Sequence, residues 1–307
     1  MLTNPAVEKP SLNEERFLGL LAELVALGPQ LANSPAQGLV PVEKLAADRV
    51  LARLAPHVAS GRVKAELLAA PGHETRPNLV LTLKGEGPGI VGFVGAHFDV
   101  VPADGPGEGW TRDPWKLEVE AGTLYGRGVT DCLGHVALVT DLVVELCERG
   151  ITPRRTLKVV FISNEEEAPI PEIGLDYAAS VGALDDLSAG TIYWLDSAEF
   201  GPTVGTGGMA AWRLEAIGVG GHSGFAQNCV NALGLANAPS RALVEWFEKR
   251  FPAHPDEARW GFLSASSLKA TRMTVPNDKI SKIPASAVVE GDLRLTPFYE
   301  MSDAIGG

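Results

Sequence analysis

A histidine and an aspartate stand two residues apart in GAHFDV, where an apolar stretch ends. On an extended backbone residues i and i+2 face the same side, so His97 and Asp99 can act together. They read either as a metal-binding imidazole with a carboxylate orienting its second nitrogen or as an ordinary His–Asp hydrogen bond at a strand end. Asp131 follows two glycines in LYGRGVTDCLGH, directly ahead of a helical pattern. It reads as a helix N-cap or as a buried carboxylate that needs a cation, a need that bridging two metals would meet. His135, four residues on, reads as a helix-packing residue. SNEEE follows the apolar run VVFI. Consecutive acids are usually solvated surface, but a strand like this one should run inside the fold, so its end should be interior as well. Adjacent glutamates can then divide the work, Glu165 as general base and Glu166 as metal ligand.

The elements that must carry these residues alternate. Phe17, Leu20, Leu21, Leu24 and Leu27 recur at helical spacing between Glu15 and Leu27, and a second helix is predicted from Val42 to Leu54. VKAELLAA, PNLVLTLKG and GIVGFVGAHFDV read as strands divided by Gly and Pro. A buried helix over Gly134 to Arg149 and the strand RTLKVVFIS follow, and TIYWLDSAEF repeats the pattern of a strand and then an acid. Three acidic clusters at strand ends match where open α/β sheets place ligand sites. After about Gly207 a strand ending in a glycine turn, a helix through ALVEWFEKRF and the strand ASAVVEGDLRLTP suggest a small α+β domain. The predicted organisation is α/β: a catalytic domain over residues 1–206, with a mixed sheet flanked by helices, and an α+β domain over residues 207–307.

Composition narrows the function classes. A net charge of −12 over 307 residues repels nucleic acid and anionic membranes but suits small cationic or zwitterionic substrates. Cys132, Cys147 and Cys229 form no C-x-x-C pair, which disfavours both a disulfide framework and a thiolate zinc site. No stretch approaches the roughly 20 apolar residues of a membrane span, and no secretory leader is legible, so a cytoplasmic protein is expected.

GAHFDVVP, LYGRGVTDCLGH, ISNEEE, YWLDSAE and GVGGHSG occur in the order found in the co-catalytic zinc aminoacylase and carboxypeptidase family. The chain resembles that family over nearly its whole length, and in particular its acetylornithine deacetylase branch. The resemblance implies two zinc ions, with cobalt as a substitute. His97 would bind the first, Asp131 would bridge, Glu166 would bind the second, and Asp196, with Glu199 as the alternative, would complete the first. Glu165 would be the base and Asp99 the support of His97. The family also holds the Asp131–Cys132 bond in the cis form. His222 would reach a partner's site in a homodimer and polarise the scissile carbonyl; a phosphate-binding glycine loop would need a Lys-Ser/Thr pair that does not follow. Arg294 resembles a substrate-carboxylate anchor, and otherwise reads as a strand-surface arginine.

Asn164 and Leu133 depart from the family's usual Asp and Lys, positions that bear on substrate more than on metal. The implied reaction is hydrolysis of an N-acylated amino acid, N-acetylornithine giving ornithine and acetate. Succinyl-diaminopimelate hydrolysis, aminopeptidase activity and a non-catalytic scaffold are the rivals. No histidine follows His254, although relatives take a second-zinc ligand from one near the C-terminal end. The expectation is therefore an incomplete catalytic domain that holds one metal well and a second weakly, with little hydrolysis.

Overall fold

The computed structural model describes residues 10–103, 109–167, 170, 172–196, 206–276 and 279–306. The chain divides into two compact units, Met1–Phe200 and Gly201–Gly307. Glu199 lies outside the described residues.

The first unit contains α1 (Glu14–Ala26), α2 (Gly28–Leu31), α3 (Lys44–Ala59), β1 (Val63–Leu68), β2 (Asn78–Leu83) and β3 (Ile90–His97). The hairpin β4 (Glu118–Glu120) and β5 (Thr123–Tyr125), α4 (Leu133–Glu148), β6 (Thr156–Ile162), α5 (Leu175–Ser180) and β7 (Gly190–Trp194) follow. Asn13 starts α1, its side chain accepting the Arg16 backbone N–H at 2.9 Å. Leu20, Leu21, Leu24 and Val25 then form the buried stripe that the predicted helix required. The second predicted helix begins at Lys44 and runs on through Pro56 to Ala59.

Five strands form a mixed sheet in the order β1-β2-β6-β3-β7. β2 is antiparallel to β1 and β6, whereas β3 is parallel to both β6 and β7. Strand alternation divides the side chains between two cores. Leu79, Leu81 and Leu83 of β2 and Leu157, Val159 and Phe161 of β6 pack with Leu24 of α1, Val50 of α3 and Val136 of α4. Val80, Val160 and Ile162 join Ile90, Val94 and Leu187 on the other face.

On β3, Val91 and Phe93 lie against the helix-side core, so strict alternation would send His97 there too. It does not, because the register shifts between Val94 and His97, after which Ala96, Phe98 and Val100 take the core positions. His97 and Asp99 are thereby turned away from the helices. The shift depends on Gly95, whose φ of +106° is unfavourable for any side chain. A Cβ there would stand 2.7 Å from Trp194 Cε2 and 3.0 Å from the Leu195 carbonyl.

The second unit contains β8 (Gly208–Ile217), β9 (Gly221–His222), α6 (Ala232–Arg250), α7 (Pro255–Trp260), β10 (Ser267–Thr274), β11 (Lys282–Ile283), β12 (Ser286–Leu295) and α8 (Met301–Ile305). Three long strands pair antiparallel in the order β10-β12-β8. One face is covered by α6, where Ala232 and Ala236 meet Ala287 and Val289, and Phe247 meets Leu268 and Leu293. The unit is α+β. β10 escaped sequence reading because a register shift between Ala270 and Arg272 breaks its apolar alternation, Leu268 and Ala270 falling in one phase and Met273 in the other.

Replacing Gly95 with alanine should destabilise the protein by about 1–3 kcal/mol through overpacking and strain, and weaken metal binding as well. Urea denaturation and zinc titration of Gly95→Ala measure the two effects.

Candidate metal centre

Because β3, β6 and β7 run parallel, their carboxyl ends meet at one edge of the sheet. His97 ends β3, Glu165 and Glu166 follow β6, Asp196 follows β7, and Asp131 arrives from the loop ahead of α4. His97 Nε2 lies 2.9 Å from Asp131 Oδ1, 3.7 Å from Glu165 Oε2 and 4.0 Å from Asp196 Oδ1. His97, Asp131, Cys132 and Asp196 offer four donor atoms, all within 4.8 Å of one another. The imidazole is fully buried, whereas the side chains of Asp131 and Glu165 remain 44% and 33% exposed, so a ligand can approach from the acid side.

Asp99 orients His97 differently from the reading of the sequence. Nδ1 lies 2.9 Å from the Asp99 backbone carbonyl and 3.5 Å from its carboxylate. A carbonyl can only accept, so Nδ1 carries a proton and Nε2 faces the acids. The Asp99 carboxylate mainly serves the following loop, accepting the backbone N–H groups of Glu165 and Glu166, each at 3.1 Å, and the Asn33 amide at 2.8 Å. Burial alone would raise the Asp99 pKa, but His97 and these donors outweigh it and hold the carboxyl below the usual carboxylate range.

Asp131 is not the helix cap. The N-cap of α4 is Cys132, which makes no side-chain capping bond, and the Asp131–Cys132 peptide is cis, as the family resemblance implied. Glu166 is not among the four clustered donors; its Oε1 accepts the Val101 N–H at 3.2 Å. Burial, the nearby Asp131 and the other acids, against the opposing pull of His97, push its pKa up to about 7. Cys132, in contrast, stands in the cluster although cysteine spacing had argued against a thiolate site. Its thiol points to the Leu195 carbonyl at 3.7 Å, and burial pushes it up to about 12, so like His97 it must give up a proton before it could bind a metal.

Two other candidates lie in the second unit. His222 caps the short 3₁₀ helix Ser223–Asn228, its Nδ1 accepting the Gly224 N–H at 3.0 Å. Arg294 is exposed and donates from Nε to Asp292 on the same strand at 2.8 Å. Sequence reading missed Asn33, Glu43 and Arg76, which are buried behind the acidic loop. Asn33 and Arg76 sit in polar stretches that look like surface, Glu43 stands at the start of an amphipathic helix pattern, and no spacing rule connects them.

The donor set suits a metal cation. Carboxylates converging on one buried imidazole require positive charge, and without a metal a proton supplies it. Burial works against protonation of His97, but its contacts with Asp131 and Asp99 prevail and raise its pKa to about 12. The imidazolium is thus the stand-in for a metal at the point where the acids meet. Burial also raises the pKa of Glu165, helped by Asp196, Asp99 and Asp131 and opposed by His97, in the direction that suits a general base.

A sheet that gathers an imidazole and carboxylates at the carboxyl ends of parallel strands defines a metallohydrolase of the α/β class. The chain belongs to peptidase family M20/M25/M40, whose sequence pattern matches residues 93–288. It is 38% identical over 297 residues to acetylornithine deacetylase of Arabidopsis thaliana, covering 96% of this chain and 67% of that protein. With acetylornithine deacetylase of Dictyostelium discoideum it shares 37% over 311 residues, 98% of this chain and 69% of that one. Succinyl-diaminopimelate desuccinylase of Gluconobacter oxydans is 29% identical over 75% of this chain and 57% of its own length. Among solved structures, an M20 family metallo-carboxypeptidase from Sulfolobus solfataricus superimposes with a TM-score of 0.66 at 18% identity, over 96% of this chain and 74% of that one. A dinuclear metal-binding M20 peptidase from Bacillus subtilis gives 0.56 at 16% identity, over 95% and 68%.

Metal uptake should release protons, because His97 must surrender the proton on Nε2. Affinity should also fall as the pH drops through about 7, where Glu166 gains a proton that competes with the metal. Calorimetric zinc titrations in buffers of different ionisation enthalpy count the protons. Binding without proton release at pH 6.5 would contradict the assignment of His97 as a ligand.

Proposed function

We propose that this site serves the hydrolysis of the amide bond of a small N-acylated amino acid, N-acetyl-L-ornithine, to L-ornithine and acetate, with two zinc ions as the complement of the whole enzyme, the chain spanning 67–69% of the length of the deacetylases it matches. The observation that carries the reading is the meeting of His97, Asp131 and Asp196 within 4.8 Å, with Glu165 3.7 Å from the same imidazole nitrogen. The choice of substrate is supported by the similarity to the two acetylornithine deacetylases.

When bound, the metal pair polarises the scissile carbonyl and acidifies the attacking water. Glu165 takes the proton from that water and passes it to the leaving amine. Asp99 keeps Glu165 and Glu166 in place through their backbone amides and keeps Asn33 against the loop. His97, Asp131 and Asp196 would hold one metal. Asp131 and Glu166 would serve a second, for which the Glu166 carboxyl would have to be ionised.

The chain works in the cytoplasm as a homodimer, with residues 207–307 as a dimerisation lid, His222 serving a neighbouring chain's site and Arg294 holding the substrate carboxylate. No helix among the described residues is long and apolar enough to cross a membrane.

Built in a complete enzyme, Glu165→Gln should lower kcat by about 10²- to 10⁴-fold and leave metal binding near normal, because a base is lost and no ligand is. Metal content and deacetylation of N-acetylornithine, with N-succinyl-diaminopimelate run beside it, check this. A preference for the succinylated substrate would move the chain to the desuccinylase reading, and no amine release with zinc bound would leave a scaffold.

Mixing His222→Ala with Glu165→Gln should restore roughly a quarter of the wild-type activity, since mixed dimers would each contain one complete site. Refolding the two variants together and assaying the mixture measures it. No recovery despite demonstrated chain exchange would remove His222 from the site.

A further inference from the structure

A second set of buried polar groups stands behind the loop that carries the glutamates. Glu43 is completely buried and Arg76 is 3% exposed. Arg76 grips Glu43 through Nε, at 3.1 and 2.9 Å, and through Nη2, at 2.6 Å. Glu43 immediately precedes α3 and Arg76 lies just ahead of β2, so the pair comes from elements other than β6.

The same pair holds the first residues after β6. Glu43 Oε1 accepts the backbone N–H of Asn164 at 3.1 Å, and Ser163 Oγ donates to the Arg76 carbonyl at 3.0 Å. The Ser163 N–H goes to Asn78 Oδ1 at 3.1 Å. The next two amides, Glu165 and Glu166, end on Asp99. Three successive backbone N–H groups are therefore taken up by two buried carboxylates, one beside Arg76 and the other beside His97. Asn164 has φ +58°, uncommon outside glycine, so this turn depends on its surroundings.

A carboxylate holds an amide about twice as strongly as a neutral acceptor, but when buried it needs a cation of its own. Arg76 is that cation. The arrangement costs desolvation of both charges, which a helix packed on a strand would not need for its own stability. It does place the backbone from which two catalytic carboxyl groups hang.

We infer that Glu43 and Arg76 are positioning residues of the hydrolytic site. They fix the backbone at Asn164, and thereby set where Glu165 and Glu166 stand relative to His97 and Asp131. The inference rests on the function proposed above.

The test uses the whole chain and three readouts: zinc affinity by competition with a chromophoric chelator, amide hydrogen exchange at residues 164–166, and thermal unfolding. Glu43→Gln should bind zinc about 10- to 100-fold more weakly, the usual effect of removing a group that supports a metal site, and should speed exchange at those amides. Arg76→Gln removes the cation and should weaken zinc binding to a similar degree, so it carries the test if Glu43→Gln does not fold; Arg76→Lys keeps the positive charge and should recover much of the affinity lost in Arg76→Gln. Arg16→Met, which loses its ion pairs with Glu145 and Glu148, should unfold earlier with unchanged zinc affinity. Wild-type zinc affinity in both Glu43→Gln and Arg76→Gln would overturn the inference, as would an equal loss in Arg16→Met. Wild-type zinc affinity in His97→Ala would instead overturn the reading of the site, and the inference with it.

Discussion

Carboxylates gathered at one edge of a sheet repel each other, and the rest of this structure depends on how that repulsion is compensated. Asp131, Glu165 and Asp196 all approach the single buried imidazole of His97. In water such a group of acids would separate. Here they are fixed to separate strands and loops that are packed on two hydrophobic cores, so they cannot. A cation must supply what distance would otherwise provide. His97 can supply it as imidazolium, and a divalent metal can supply it better while expelling the proton.

Position follows from elementary chain geometry. Parallel strands bring their carboxyl ends to the same edge, which is why residues from β3, β6 and β7 meet although they are separated by up to 99 residues in sequence. The register shift at Gly95 then decides which side of β3 bears the histidine. Asp99 links the two halves of the centre, holding the histidine through its backbone carbonyl and the glutamate loop through its side chain. Glu43 and Arg76 continue the same scheme one layer deeper.

Most of this was legible in local patterns. The strands β2, β3 and β6 and the helices α1 and α4 have clear apolar periodicity, and each motif with chemistry lies at the end of one of these elements or of β7. What sequence could not convey depends on contacts between distant segments. Glu43 and Arg76 are charged residues 33 positions apart, and only tertiary structure makes them a buried pair. Asp99 sits two residues from His97, which suggests carboxylate support; the register shift and the loop after β6 divert most of that carboxylate to other donors. Cys132 was discounted on spacing, yet the turn ahead of α4 brings its sulfur among the ligand atoms. Glu166, read as the ligand of a second metal, lies outside the four clustered donors, with its Oε1 on the Val101 N–H.

X-ray absorption at the zinc edge of the zinc-loaded chain tests the central claim most directly, because it reports which atoms surround the metal. Nitrogen and oxygen scatterers near 2.0–2.1 Å, with the multiple-scattering signature of one imidazole, are the expected result. A sulfur scatterer near 2.3 Å would place Cys132 on the metal, and a shell without imidazole would remove His97; either result would contradict the account.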